Sequence, residues 1–195
     1  MGSLRLITGG AKSGKSKFAE QLCPQDQPVC YVATGVMTSP DAEMQLRIQR
    51  HQQRRPAIWV TKEGYRHVAT FIQEQHYQTY LLDDVTMLTT NLFFAILQDS
   101  APTTTDFDQV LARLSKVELA KIRQKILDEW QAILHAIRQG DSQMTMVTNE
   151  VGLGLVPATK QARVLRDLYG EVNQVLATEA DEVYFVISGL PQQIK

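Results

Sequence analysis

Three groups of residues in this 195-residue chain are of the right type and spacing to act on phosphates. The first is Gly9, Gly10, Ala11, Lys12, Ser13, Gly14, Lys15 and Ser16, which spell G-x-x-x-x-G-K-S. A short apolar run at 4–8 precedes them and residues that suit a helix follow, so the context is strand, loop, helix. Glycines let the backbone turn with no Cβ in the way, and successive N–H groups converge on phosphate oxygens at the positive end of the helix. Lys15 then places a point charge on the β- and γ-phosphates, and the Ser16 hydroxyl ligates Mg²⁺. The pattern predicts nucleoside triphosphate binding without saying what is done with the phosphate.

The second group is an acid at the end of a buried strand. Tyr80, Leu81 and Leu82 lead into Asp83 and Asp84, at the carboxyl end where ligands bind in open α/β sheets. A P-loop enzyme uses such an acid to hold Mg²⁺ directly or through water. Asp83, directly after the leucines, is the first choice and Asp84 the alternative. A strand-end acid that faces water, or caps a helix starting near Thr86, would look the same.

The third group lies in DAEMQLRIQRHQQRRPAIW, residues 41–59. At helical spacing Arg47, Arg50, His51, Arg54 and Arg55 gather on neighbouring turns. Like charge disfavours the imidazolium form, which leaves His51 neutral near pH 7 with a lone pair free for attack. A neutral imidazole beside cations suits covalent phosphoryl or nucleotidyl transfer. A solvated basic helix with a passive histidine is the plainer alternative.

Composition bounds the setting. With 44% hydrophobic residues and a net charge of -1, the chain reads as one soluble domain over 1–195, not a nucleic-acid binder by bulk charge. No apolar run is long enough to span a membrane and no signal pattern opens the chain, so a cytoplasmic location is expected. Cys23 and Cys30 lack metal-ligand spacing and read as small buried residues rather than a disulfide.

The elements that must position these groups alternate. β-rich runs at 4–8, 29–33, 57–60, 79–83, 144–148 and 183–188 are separated by helical patterns that include 41–53, 66–75, 108–138 and 159–177. Such alternation predicts a doubly wound α/β fold with a mostly parallel sheet and helices on both faces. A Ser/Thr/Pro-rich loop at 99–107 introduces the long pattern at 108–138. Its apolar stripe begins at Val110, Leu114 and Val117 and resumes after a shift in phase at Leu119, Ile122, Ile126, Trp130, Ile133 and Ile137. The stripe could cover the sheet or meet another subunit.

Taken together, GGAKSGKSKFAE, YVATG, DAEMQLRIQRHQQRRP, LLDDVTMLTTNLFF, VTNEVGLGLVP and RDLYGEVNQVLATEADEVYFVISGLP resemble the bifunctional adenosylcobinamide kinase / adenosylcobinamide-phosphate guanylyltransferase family of cobalamin synthesis. The blocks run in family order over nearly the whole chain. The resemblance implies a RecA-like P-loop fold, a homotrimer, a corrinoid substrate, Mg²⁺, and ATP or GTP as phosphate donors. It implies phosphorylation of adenosylcobinamide, then transfer of GMP from GTP through a GMP-histidine intermediate. The family's R-I-x-x-H pattern reads here Arg47, Ile48, Gln49, Arg50, His51, which makes His51 the expected nucleophile.

By the same resemblance the nucleotide is held by Gly9 through Ser16, by Thr34, Gly35 and Val36, by Gln52, Gln53, Arg54 and Arg55, and by Glu63 and Asp83. Asn149 and Glu150, in the loop after the fifth predicted strand, are further pocket candidates, whereas Asn173 has no derivable role. The chain departs from the family at Lys12, where arginine is common, at Asp84, where cysteine is usual, and in an enlarged 99–138 segment. A kinase without the histidine chemistry, or a nucleotide-dependent switch or motor module, are the rival readings.

Overall fold

In most of the predicted strands consecutive residues are apolar, so both faces must be covered. The computed structural model describes residues 1–35, 49, 53–100 and 106–195, and in it both faces are covered. The chain forms β1 (Ser3–Gly9), α1 (Lys15–Leu22), β2 (Cys30–Ala33), β3 (Val60–Glu63), α2 (Val68–Gln75), β4 (Thr79–Asp83) and α3 (Val85–Ser100). It continues through α4 (Phe107–Arg113), α5 (Lys116–Gln139), β5 (Gln143–Val147), α6 (Lys160–Glu179), β6 (Glu182–Ile187) and β7 (Leu190–Gln193).

The strands make one sheet in the order β3-β2-β4-β5-β1-β6-β7. Every neighbouring pair is parallel except β6 and β7, which close an antiparallel edge hairpin. Strand alternation sorts the core in two. Leu4, Leu6, Val32, Tyr80, Leu82, Met144 and Met146 face the larger layer with residues of α2 through α6. Ile7, Tyr31, Leu81 and Val147 face a smaller layer with Ala19 of α1, Cys23 and Trp59. The expected doubly wound, mostly parallel architecture is met.

Three expectations change in detail. The strand expected at 57–60 lies at Val60–Glu63, an exposed edge strand. The apolar signal there came from Trp59, which is buried and donates its indole N–H to the Pro24 carbonyl at 3.0 Å. The single helix expected over 108–138 is two, α4 and α5. Ser115 and Glu118 form a capping box that starts α5 afresh, which explains the shift in phase and leaves Val117 exposed. Pro191 hid β7, whose edge position tolerates a residue with no N–H.

The 41–53 helix falls almost wholly outside the described residues, as does most of the 99–107 loop. Both cysteines are free and buried, and burial pushes the Cys23 thiol up to about 11 and the Cys30 thiol to about 12. Among the described residues no helix is long and apolar enough to cross a membrane.

Candidate active site

Register brings the site residues to one edge of the sheet. Ile7 pairs with Val147, Val147 with Asp83, Asp83 with Ala33, and Ala33 with Glu63. The carboxyl ends of β1, β5, β4, β2 and β3 thus stand in a row. At about 4.8 Å per strand, Asp83 sits about 10 Å and Glu63 about 19 Å across the sheet from the P-loop strand.

The P-loop owes its shape to close packing. A Cβ on Gly9 would lie 2.6 Å from the Val186 carbonyl oxygen, so only glycine fits there. Gly14 has φ +97°, and a Cβ on it would come within 3.2 Å of Gly189 Cα at the tip of the β6–β7 hairpin. That hairpin also supports the loop directly, because the Gly189 N–H donates to the Ser13 carbonyl at 2.8 Å. The Lys15 side chain is buried and lies back over the loop, its ammonium donating to the Gly10 carbonyl at 3.1 Å.

The two neighbouring acids are held differently. Asp83 accepts from the Ser16 hydroxyl at 3.4 Å on Oδ1 and from the Tyr31 hydroxyl at 2.8 Å on Oδ2. Burial, together with the Asp84 charge, pushes its carboxyl up to about 6 despite those two bonds. Asp84 is spent on structure. Its Oδ1 accepts the Met87 N–H at 2.7 Å and the Thr86 hydroxyl at 2.6 Å, which caps α3, and its Oδ2 accepts from Asn149 at 3.1 Å.

Ser16 and Asp83 fit a magnesium ion. A hydroxyl and a carboxylate are hard oxygen donors side by side, and Mg²⁺ takes one or two such groups besides waters and phosphates. A carboxylate disfavoured by burial and by a like charge would be relieved by a cation.

Further along the edge the polar residues bond to one another. The Thr34 hydroxyl donates to the Asp84 carbonyl at 2.7 Å, and the Thr34 carbonyl accepts from Asn91 at 2.7 Å. Asn149 also donates to the Thr86 hydroxyl at 2.7 Å. Asn173, mid-way along α6, accepts from the Thr148 hydroxyl at 2.7 Å and donates to the Asn149 carbonyl at 3.2 Å, which supplies the role that the sequence left open. Glu150 turns away to accept the Gly152 N–H at 3.0 Å, while its own N–H donates to the Gly9 carbonyl.

Gly35 and Gln53 are exposed, and Glu63 is exposed at the end of β3. Arg54 and Arg55 make contacts within the protein, to Glu20 and Tyr31. His51, Arg47, Arg50, Val36 and Gln52 lie outside the described residues. The structure also gives contacts to residues that lie within the quoted blocks but carried no assigned role: Tyr31, Glu20, Asn91 and Gly189.

The family model described as "Cobinamide kinase / cobinamide phosphate guanyltransferase" matches residues 5–194. The bifunctional adenosylcobalamin biosynthesis protein CobU of Salmonella typhimurium is 40% identical over 192 residues, 97% of this chain and 98% of that protein. The protein of the same name from Escherichia coli is 38% identical over the same shares. The bifunctional adenosylcobalamin biosynthesis protein CobP of Pseudomonas aeruginosa is 31% identical over 97% of this chain and 96% of its own. Among solved structures, a KaiC-like protein from Pyrococcus horikoshii aligns at a TM-score of 0.45 and 11% identity, covering 94% of this chain and 70% of that one.

Proposed function

The chain belongs to the cobinamide kinase / cobinamide phosphate guanyltransferase family, and from that premise we propose that it carries out both reactions within one nucleotide-binding domain over 1–195. It phosphorylates the aminopropanol hydroxyl of adenosylcobinamide with ATP or GTP, then transfers GMP from GTP to that phosphate, giving adenosylcobinamide-GDP. The observation that carries the reading is the corner beside the P-loop where the Ser16 hydroxyl meets Asp83, with Lys15 folded over the loop onto the Gly10 carbonyl.

In the kinase step the loop N–H groups and Lys15 offset charge on the γ-phosphoryl group while the acceptor hydroxyl attacks in line and the nucleoside diphosphate departs. In the guanylyl step His51 attacks the α-phosphorus of GTP; a P–N bond forms and the bond to pyrophosphate breaks. An oxygen of the corrinoid phosphate then attacks the same phosphorus, the P–N bond breaks, and His51 is regained. Mg²⁺ at Ser16 and Asp83 would supply further charge neutralisation on the phosphates. Thr34 through Val36, Gln52 through Arg55 and Glu63 complete the nucleotide pocket on the strength of the family pattern. The same resemblance supports a homotrimer, and the lack of a signal or membrane-spanning pattern in the sequence supports a cytoplasmic location.

The test is the intact mass of the protein after incubation with GTP and Mg²⁺ and no acceptor. One GMP adduct that survives alkali and is lost in acid supports a phosphoramidate on His51. Bound nucleotide with no adduct favours a kinase without the histidine chemistry.

A further inference from the structure

Ten large apolar side chains stand exposed among the described residues, and five of them lie on the two segments that flank the P-loop. Leu153, Leu155 and Val156, in the loop that joins β5 to α6, are exposed by 80%, 95% and 70%. Ile187 and Leu190, paired across the β6–β7 hairpin, are exposed by 53% and 74%. Single exposed apolar residues are ordinary, but such a concentration at one edge marks a surface that something covers.

Both segments are tied to the P-loop backbone. The Glu150 N–H, at the start of the first, donates to the Gly9 carbonyl at 3.1 Å, and the Gly189 N–H, at the tip of the second, donates to the Ser13 carbonyl at 2.8 Å. The P-loop strand β1 lies between β5 and β6, so the two segments rise from strand ends about 10 Å apart. They also share a side of the sheet. Alternation from the buried Val183 puts Ile187 and its partner Leu190 on the face that α6 covers, and the first loop leads into α6.

The loop after β5 is anchored at both ends. Glu150 Oε1 accepts the Gly152 N–H at 3.0 Å, and Arg163 of α6 donates to the Pro157 and Ala158 carbonyls at 3.0 and 2.6 Å. Between these anchors the apolar side chains stay in water. A surface whose backbone is already held loses little entropy when a ligand covers it.

The position of this surface says what covers it. An acceptor hydroxyl must reach the γ-phosphorus at the P-loop, so the rest of the acceptor lies against whatever borders that loop. Adenosylcobinamide carries its hydroxyl on a short aminopropanol arm, and its bulk is a broad macrocycle edged with methyl groups and amide chains. A small alcohol would touch neither segment while its hydroxyl was in place, whereas a macrocycle extends over both.

We propose that Leu153, Leu155 and Val156, with Ile187 and Leu190, form an apolar shelf that carries the corrinoid macrocycle while its aminopropanol arm reaches the γ-phosphate. The inference rests on the kinase reading above and gives that substrate its place on the protein. The shelf binds substrate and transition state alike, so its loss raises KM for the corrinoid and spares turnover at saturation.

The test measures KM for adenosylcobinamide, KM for ATP, turnover at saturation and mass in solution for Leu155→Ser, Leu190→Ser and the double variant. These side chains are mostly exposed in the free protein, so the thermal melts should match the wild type. Each single change is expected to raise KM for adenosylcobinamide by about tenfold, because a leucine no longer gives up apolar surface to the acceptor. The double variant rises by roughly the product, since the two residues meet separate parts of the macrocycle. KM for ATP and saturated turnover stay within about twofold. Leu155→Met, which keeps the apolar surface, stays near the wild type. Leu153→Ser with Leu155→Ser, away from the strand pairing, gives the same rise should Leu190→Ser disturb the hairpin.

An unchanged KM for adenosylcobinamide in the double variant overturns the inference alone, as does an equal rise in both KM values. A double variant with a smaller mass in solution than the wild type also overturns it, because the shelf is then a contact between copies of the chain. A wild type without adenosylcobinamide-dependent turnover overturns the kinase reading and this inference with it.

Discussion

The P-loop and the polar belt at the ends of β4 and β5 lie on the same edge of the sheet, yet they keep their hydrogen-bonding groups in opposite ways. The P-loop is held by backbone packing, Gly9 against Val186 and Gly14 against Gly189, with Lys15 folded back onto the Gly10 carbonyl and Ser16 bonded to Asp83. The belt is held by side chains that bond one another: Thr34 to the Asp84 carbonyl, Asp84 to Thr86 and Met87, Asn149 to Asp84, Asn173 to Thr148 and Asn149. Residue type alone does not tell the two regions apart. Asp83 and Asp84 are the clearest pair, one disfavoured by burial beside Ser16, the other consumed as a helix cap.

Substitutions in the two regions should therefore separate activity from stability. Lys15→Ala, on the ligand side, should cut both reactions by about 10²–10³ in turnover while the melting temperature hardly moves. Steady-state assays with a thermal melt decide it; a large loss of stability would erase the contrast.

Asp83→Asn should show the opposed signs most sharply. The folded carboxyl keeps its proton up to about 6, whereas the unfolded chain releases it near its ordinary 3.8. The folded state thus binds more protons between those values, and this group's contribution to stability falls as pH rises through that window. Asn at this position should raise the stability of the nucleotide-free protein at pH 8 by about 1–3 kcal/mol and flatten that part of the pH profile, while Mg²⁺-dependent turnover falls. Urea unfolding from pH 4 to 8 reads it.

Asp84→Ala should destabilise by about 2 kcal/mol, since a helix cap is lost and the Asn149 and Thr86 donors are left short of an acceptor. The same urea series measures it. If this variant lost Mg²⁺ dependence with its stability intact, the two acids would have exchanged roles. Ser115→Ala, at the start of α5 and apart from both regions, should cost about 1 kcal/mol with activity unchanged, which calibrates a pure cap.

Much of this molecule was legible before any coordinates, for reasons of locality. The P-loop is eight consecutive residues whose backbone does the binding, so spacing alone exposes it. Strand 79–83 was read to the residue because a closely packed apolar run ended in two acids. The S-x-x-E signature at Ser115 and Glu118 is also local, and it marks the break between two helices that the apolar stripe alone reads as one. Tyr31, Glu20, Asn91 and Gly189 could not be found this way, because each acts on residues tens of positions distant or more. Glu63 came forward through the family pattern alone, whereas His51 was marked first by its arginine neighbours and then by that pattern.

The sequence by itself determined the order of elements, the phosphate-binding loop and the family, because these are written in contiguous patterns and local propensities. Only the tertiary structure made Asp84 a helix cap beside a buried Asp83, placed Asn173 behind Asn149, and set Glu20 and Tyr31 against the two arginines. Those choices depend on which groups from distant segments exhaust one another's hydrogen bonds, and that exists only once the parallel strands have brought their ends to one edge.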